Sequence, residues 1–137
     1  MCEFVDWRLP IKTVSEFNCR EHWRVAHKRH KAQKALVAWQ FLQERPKIEL
    51  PCVVKLTRIA PGTLDFDNLA GSFKYITDAV CDGILPGLRA GRADGDPRIK
   101  IEYAQEKGKQ GEYAVRIEIK NPGTAPGKEI LYVQNKQ

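Results

Sequence analysis

The stretch between Pro10 and Pro46 contains neither glycine nor proline, so nothing in it interrupts a helix before Pro46. Asn18, followed three residues later by Glu21, resembles a capping box, and Ser15 is a rival N-cap. We therefore expect one long helix that begins near Ser15 or Asn18 and ends just before Pro46. In a chain of 137 residues, which forms one domain with one core, this helix constrains the fold more than any other feature.

Basic residues recur along this helix at spacings of four, four and three, which places them on one stripe of its surface. The basic stripe consists of Arg20, Arg24, Lys28, Lys31 and Lys34. The whole chain has a net charge of +6, which suits a polyanionic partner. The alternative is a solvated helix face with no partner. Apolar residues crowd the C-terminal half of the helix, among them Val37 and Trp39, and we expect them to anchor it to the core.

Strand patterns flank the long helix. Residues 3–9 form a short predicted strand, and residues 52–57 alternate as a second strand. Residues 99–103 and 113–119 also alternate, and we expect these two to form a hairpin across the intervening EKGKQG. Residues 129–133, EILYV, are a candidate last strand.

A second helix is predicted over residues 68–82. Its apolar residues recur at i, i+4, i+7 and i+11, which is one helical face: Leu69, Phe73, Ile76 and Val80. The sequence therefore predicts a single α/β (α+β) domain over residues 1–137. One mixed β-sheet packs against two main helices in the order β-α-β-α-β-β.

Membrane and secreted classes are not indicated. No apolar run approaches the roughly 20 residues that span a bilayer, and the N-terminal MCEFVDWRLP has acidic residues and no apolar signal region. These features favour a cytoplasmic protein with no membrane partner. No two cysteines form a C-x-x-C pair, so neither a zinc site nor a redox motif is indicated. In a cytosolic chain with an adequate core, we expect the cysteines to be small buried hydrophobes rather than disulfides. The cysteines are Cys2, Cys19, Cys52 and Cys81.

Acidic residues collect where the second predicted helix begins, in LDFDNLAGSFKYITDAVCDGI. Asp65 and Asp67 lie two positions apart, so in an extended segment their side chains point to the same side. Asp94 or Asp96, just before the next strand, completes a site for a divalent cation if that strand runs beside the one that ends before Asp65. The structural alternative is that Asp67 caps the helix and Asp65 belongs to a turn.

Lys74 lies two helical turns after Asp67 and therefore shares its side of the predicted helix. Beside a metal-carboxylate site, a lysine neutralises a phosphate or stabilises a leaving oxygen. The alternative is a surface lysine that pairs with Asp78 four residues later.

Three segments together resemble a known family. SEFNCREHWRVAHKRHKAQ, LDFDNLAGSFKYITDAVCDGI and DGDPRIKIEYAQEKG are similar, in this order, to the RusA-like Holliday-junction resolvases, especially their phage and prophage relatives. The resemblance implies a homodimeric, Mg²⁺-dependent endonuclease, in which Mn²⁺ substitutes, that cuts four-way DNA junctions.

The resemblance also assigns roles to residues. Asp65 and Asp67 match the first two catalytic, metal-binding aspartates. The third belongs to an Asp-Asp pair, which is split here into Asp94 and Asp96 by Gly95, so both remain candidates. The position of the family lysine is occupied by Gly71, and Lys74 is the nearest candidate.

The expected mechanism is metal-assisted hydrolysis of a phosphodiester bond, with the basic stripe contacting DNA phosphates without sequence preference. A two-fold dimer suits paired nicks in a junction that is itself two-fold symmetric in outline. The competing hypotheses are a non-catalytic DNA-binding protein on the same scaffold and a basic interaction protein with no nucleic-acid role.

Overall fold

The computed structural model describes residues 4–16, 21–86 and 95–121. Its elements follow in the order β1, Val5–Leu9; α1, Trp23–Glu44; β2, Cys52–Ala60; α2, Phe66–Ser72; α3, Lys74–Ile84; β3, Ile99–Lys107; and β4, Ala114–Lys120. One four-stranded mixed sheet carries the helices, so the predicted fold class is confirmed. The candidate strand over residues 129–133 lies outside the described residues.

The sheet has the order β1-β4-β2-β3, with β2 parallel to β3 and β4 antiparallel to both of its neighbours. The predicted hairpin of β3 and β4 is therefore wrong, because β2 lies between them. The chain passes the end of β2 on its way from β3 to β4, where the Gly108 amide donates to the Ala60 carbonyl at 2.8 Å. All but one residue of β2 are buried, and a strand that is buried on both faces belongs at the centre of a sheet.

The second predicted helix consists of two helices. Phe73 lies between α2 and α3 with φ −99° and ψ 1°, and the α3 residue Thr77 donates its amide to the Phe73 carbonyl at 2.7 Å. The predicted apolar face is nevertheless buried in full, because each of its four members is at most 2% exposed. The break does not change which residues face the core.

The core lies between the helices and one face of the sheet. It includes the inward-facing residues of each inner strand, such as Val54, Leu56 and Ile117, together with Phe73 and Ile76. The residues between them along the strands form the second face of the sheet. Buried apolar residues such as Val53, Ile59 and Ala104 lie there. The charged side chains on the same face include Asp6, Arg8, Lys55, Glu102, Arg116 and Glu118.

Helix α1 ends at Glu44, as predicted, but its start and one of its expected anchors differ from the prediction. It begins at Trp23, with His22 as its N-cap, because the His22 Nδ1 accepts the Arg24 amide at 3.1 Å. Ser15 is not a cap, and Asn18 lies outside the described residues. At the other end, Val37 is buried as expected, but Trp39 is 54% exposed, so Trp39 does not anchor the helix.

The C-terminal half of α1 packs on the end of α3 through Phe41. A Cβ added at Gly83 would lie 2.6 Å from the Phe41 ring, so only glycine permits this close approach. The Trp7 ring of β1 meets the Phe41 ring edge to face, with centroids 4.9 Å apart. Phe41 thus joins α1 to both α3 and the sheet.

Two of the cysteines lie within the described residues. Cys52 and Cys81 are buried free thiols, which agrees with the expected role as small hydrophobes. In the described part of the chain, no helix is both long enough and apolar enough to span a lipid bilayer.

Candidate functional site: an acidic cleft beside a basic helix

Asp65 is the N-cap of α2. Its Oδ1 accepts the Asn68 amide and the Asn68 side-chain Nδ2, both at 2.9 Å. The expectation that Asp67 caps this helix is therefore wrong, because the cap lies two residues earlier. Asp67 occupies the first turn. Both aspartates are exposed, so both carboxylates reach solvent at the start of one helix.

Side-chain hydrogen bonds fix this helix start over the sheet. Leu64 donates its amide to Gln105 Oε1 at 3.0 Å and accepts from Gln105 Nε2 at 2.7 Å. Ser15 Oγ donates to Asn68 Oδ1 on the other side. Asp65 therefore lies between two anchored neighbours, beside the second half of β3.

A cleft of about 370 Å³ lies against this helix start. Asp67, Lys74 and Asp78 line it together with Tyr103 of β3. The structure thus places Lys74 and Asp67 on one side of the α2–α3 segment, as their spacing predicts. The break at Phe73 does not separate them.

Asp96 lies at the other end of the sheet. Because β3 runs parallel to β2, its first residue Ile99 is level with Cys52, the first residue of β2. Asp65 lies beyond the end of β2, and its neighbour Leu64 is hydrogen-bonded to Gln105, which places Asp65 near the level of Gln105. Gln105 is six residues beyond Ile99, so the two levels are about 20 Å apart at the rise of a strand.

Asp96 is also engaged by a neighbour. Its carboxylate accepts three hydrogen bonds from Arg98: from Nη2 at 2.8 Å, the backbone amide at 2.9 Å and Nε at 3.0 Å. The side-chain hydrogen bonds, followed by the backbone bond, lower the pKa of Asp96 to about 2. Asp96 therefore serves as an anchor for the turn before β3.

The predicted metal ligands do not all lie together in the described part of the chain. Asp65 and Asp67 lie together, Asp96 lies away from them, and Asp94 is outside the described residues. Within residues 4–16, 21–86 and 95–121, no three His, Cys, Asp or Glu side chains cluster in a way that would hold a metal ion.

Four members of the basic stripe are described, and all four are exposed on α1: Arg24, Lys28, Lys31 and Lys34. Arg20 lies outside the described residues. Arg29, on the same helix, is held instead by Glu16 and Glu21 at 2.8 and 2.6 Å. The exposed cations of the stripe are therefore distinct from Arg29, which is paired with carboxylates.

Tyr75 connects the basic stripe to the acidic cleft. Its ring centroid is 5.5 Å from Lys34 Nζ of α1 and 5.4 Å from Lys74 Nζ of α3. The His30 ring stacks on it at 3.6 Å, with 16° between the planes, and His30 Nε2 lies 3.0 Å from Glu16. Tyr75 was not among the predicted site residues. The signal for it was an aromatic residue directly beside Lys74 on the second helix.

Comparisons with known proteins add no family assignment, since no protein-family model matches the chain and the search of curated proteins returned no significant match.

Proposed function

We propose that this protein is a Mg²⁺-dependent endonuclease that cuts branched DNA, with four-way junctions as its substrate. The observation that carries the proposal is the placement of Lys34 and Lys74 on one Tyr75 ring. It makes the exposed stripe of α1 continuous with the cleft that Asp67 lines. Phosphate-binding side chains and metal-binding side chains therefore lie on one surface, as hydrolysis of a phosphodiester requires.

The two lysines on Tyr75 favour an anion between them. Their ammonium groups lie within about 11 Å of each other, which is about one Debye length at moderate salt. Like charges this close repel, and a DNA phosphate relieves the repulsion. The remaining stripe residues extend the same phosphate track along α1, and such contacts bind DNA without reading its sequence.

The carboxylates of Asp65 and Asp67 fit a magnesium ion in number and type. Magnesium commonly takes one or two protein carboxylates, and substrate phosphates and waters complete its octahedron. The two hydrogen bonds from Asn68 are both to Oδ1 of Asp65, so the bonds that cap α2 do not engage Oδ2. Mn²⁺ takes the same oxygen ligands.

A bound ion supplies Lewis-acid chemistry and activates water for attack on the phosphodiester. The residues of the chain perform the other tasks. Lys74 neutralises charge on the phosphate in the cleft, and the stripe orients the DNA backbone along α1. The Asn68 hydrogen bonds hold Asp65 in one rotamer, which reduces the ordering needed when the ligand set forms.

Because Asp96 lies at the other end of the sheet and is bound by Arg98, Asp94 is the remaining candidate for the third aspartate. The proposed enzyme acts as a homodimer, because a two-fold pair of sites suits paired nicks in a junction. We place it in the cytoplasm.

A second candidate function is binding of branched DNA without cleavage. The observation that favours it is the position of Asp96, about 20 Å along β3 from the level of Asp65 and bound by Arg98. A site with only two carboxylates is still able to bind an ion weakly while the surface binds phosphates.

The test is Mg²⁺-dependent cleavage of a synthetic four-way junction by the wild type, Asp67→Asn and Asp6→Asn. Asp6→Asn is the matched control, since Asp6 is an exposed aspartate on the second face of the sheet. We expect the wild type and the control to cut, and Asp67→Asn to bind the junction at least as tightly without cutting it, because the substitution removes a metal ligand and a negative charge.

Three other outcomes decide against parts of the proposal. Binding without cutting by all three proteins supports the non-catalytic function. Equal cutting by all three excludes Asp67 as a ligand, and failure of all three to bind the junction excludes a role on branched DNA.

A further inference from the structure

A continuous groove runs between α1 and α3. Its first part, of about 580 Å³, lies beside Tyr75 and is lined by α1 residues from His27 to Ala38. Its second part, of about 500 Å³, continues along α1 to Pro46. Lys34 and Ala38 line both parts, so the two form one groove, the α1–α3 groove.

The second part of the groove is apolar on both sides. Leu42 of α1 is 65% exposed there. Trp39, three residues earlier and therefore adjacent to Leu42 on the helix surface, is 54% exposed. Large apolar side chains exposed together beside a groove usually mark a binding surface. The apolar lining from α1 and α3 consists of Ala38, Phe41, Leu42, Ala79 and Gly83.

Positive charge lies at both ends of this apolar part. Lys31 and Lys34 lie at the Tyr75 end, and Arg45 lies at the other end. Arg45 Nε donates to the Leu42 carbonyl at 3.4 Å, which keeps the guanidinium beside the apolar lining without neutralising its charge. Among the described residues that line the groove, Asp82 is the one carboxylate. The groove therefore favours a negatively charged occupant.

We propose that the α1–α3 groove binds a segment of a partner protein in which acidic residues flank a short apolar run. Duplex DNA would offer phosphates to Lys34 and Arg45, but it has no apolar side chains to cover Leu42. A protein segment supplies both kinds of contact, since protein interfaces combine an apolar centre with a polar rim.

A second copy of the chain suits the groove less well. A two-fold contact uses the same surface on both copies. It would therefore bring Lys31, Lys34 and Arg45 of one copy close to the same cations of the other, and like charges oppose such a contact.

The length of the segment follows from the spacing of the cations. Lys34 and Arg45 are eleven positions apart along α1 and its C-cap, which is about 16 Å at the rise of a helix. About five residues of an extended segment cover that distance. Alternate side chains of an extended segment point to opposite sides, so those of the apolar run meet α1 on one side and α3 on the other.

The test is fluorescence anisotropy of a fluorescein-labelled peptide, in which glutamates flank a leucine-leucine-phenylalanine run, titrated with the full-length chain. We expect saturable binding that weakens as salt is added. The control peptide has serines in place of the apolar run and the same charge. It is expected to bind at least about tenfold more weakly, because it leaves the apolar lining uncovered.

Two matched variants place the peptide in the groove. Ala38→Glu puts a carboxylate in the shared part of the groove and is expected to weaken peptide binding at least about tenfold. Ala32→Glu makes the same change in charge at an exposed alanine of α1 that does not line the groove, and it is expected to leave binding unchanged. Both positions are exposed on α1, and circular dichroism checks that both variants keep the wild-type fold.

Leu42→Ala separates a protein occupant from DNA. Leu42 is exposed and lies outside the basic stripe, so the substitution is expected to weaken peptide binding about tenfold and to leave binding of a four-way junction unchanged. The opposite pattern makes DNA the occupant and overturns the proposal.

Other results also overturn it. They are the absence of saturable peptide binding by the wild type, equal binding of the serine peptide, and equal effects of Ala38→Glu and Ala32→Glu. A dimer that light scattering shows to dissociate on Ala38→Glu, with no peptide bound by the wild type, assigns the groove to a second copy instead. The peptide titration contains neither DNA nor a metal ion, so its outcome is independent of the proposed nuclease activity.

Discussion

Replacement of both Lys34 and Lys74 by alanine tests whether the basic stripe and the acidic cleft form one DNA-binding surface. Both ammonium groups lie about 5.5 Å from the Tyr75 ring, and both are placed to meet a phosphate. Each phosphate contact contributes about 0.9 to the slope of log affinity against log salt concentration. For each bound protomer, the magnitude of this slope should therefore be about 1.8 smaller in the double variant than in the wild type.

The size of the effect follows from the number of contacts. With contacts from the four described stripe residues and Lys74, a salt increase from about 50 to about 200 mM weakens wild-type binding about 500-fold, but weakens binding of the double variant only about 40-fold. The assay is fluorescence anisotropy of a labelled four-way junction titrated at several salt concentrations.

Lys100→Ala is the control for loss of positive charge. Lys100 is an exposed residue of β3 on the second face of the sheet, and its removal should leave the slope unchanged. A double variant with the wild-type slope, or a Lys100→Ala variant with an equal loss, would refute a continuous surface around Tyr75.

Three further predictions concern the elements that position this surface. Asp65→Ala removes the α2 cap and should lower the free energy of unfolding by about 1 kcal/mol. Asp65→Asn keeps the cap, so it should retain most of the stability but lose cleavage. Thermal unfolding and the junction assay distinguish the two variants. Gly83→Ala forces the Phe41 ring to move and should cost about 1–3 kcal/mol in denaturant unfolding, and a neutral result would show that α1 shifts freely on α3. The pKa of Asp96 is lowered to about 2 by Arg98, so its contribution to stability is complete above its ordinary pKa and is lost as the pH falls through about 2. Asp96→Asn should therefore destabilise the protein at pH 7 and progressively less as the pH falls below about 4, and a pH-independent difference would contradict the Arg98 interaction.

Much of the fold could be predicted because its signals are local. The spacing of Leu69, Phe73, Ile76 and Val80 is a property of a few turns of helix, and all four residues are buried. The alternation of β3 and β4 likewise identified two strands. It did not identify their neighbours, because a glycine-containing connection serves a hairpin and a passage around β2 equally well. Burial of β2 on both faces decided the pairing, and that is a property of the whole sheet.

The candidate site was predicted in part for the same reason. The neighbouring positions of Asp65, Asp67 and Lys74 follow from local geometry. The expected approach of Asp96 assumed that the start of β3 lies near the end of β2. Parallel pairing puts the start of β3 beside the start of β2 instead. The alternation of apolar and polar residues in a strand does not indicate the direction of that strand relative to its neighbour. Tyr75 was missed because its role depends on α1, a separate element.

The metal site itself is tested most directly by Mn²⁺ titration of the ¹⁵N-labelled protein followed by NMR. The account predicts that low Mn²⁺ concentrations broaden the amide signals of Asp65, Asp67 and Asn68 before those of the control residues on β1, and that Mg²⁺ in excess restores them. Broadening that begins at Arg98, or that spreads evenly over all exposed carboxylates, would contradict a divalent-cation site at the start of α2.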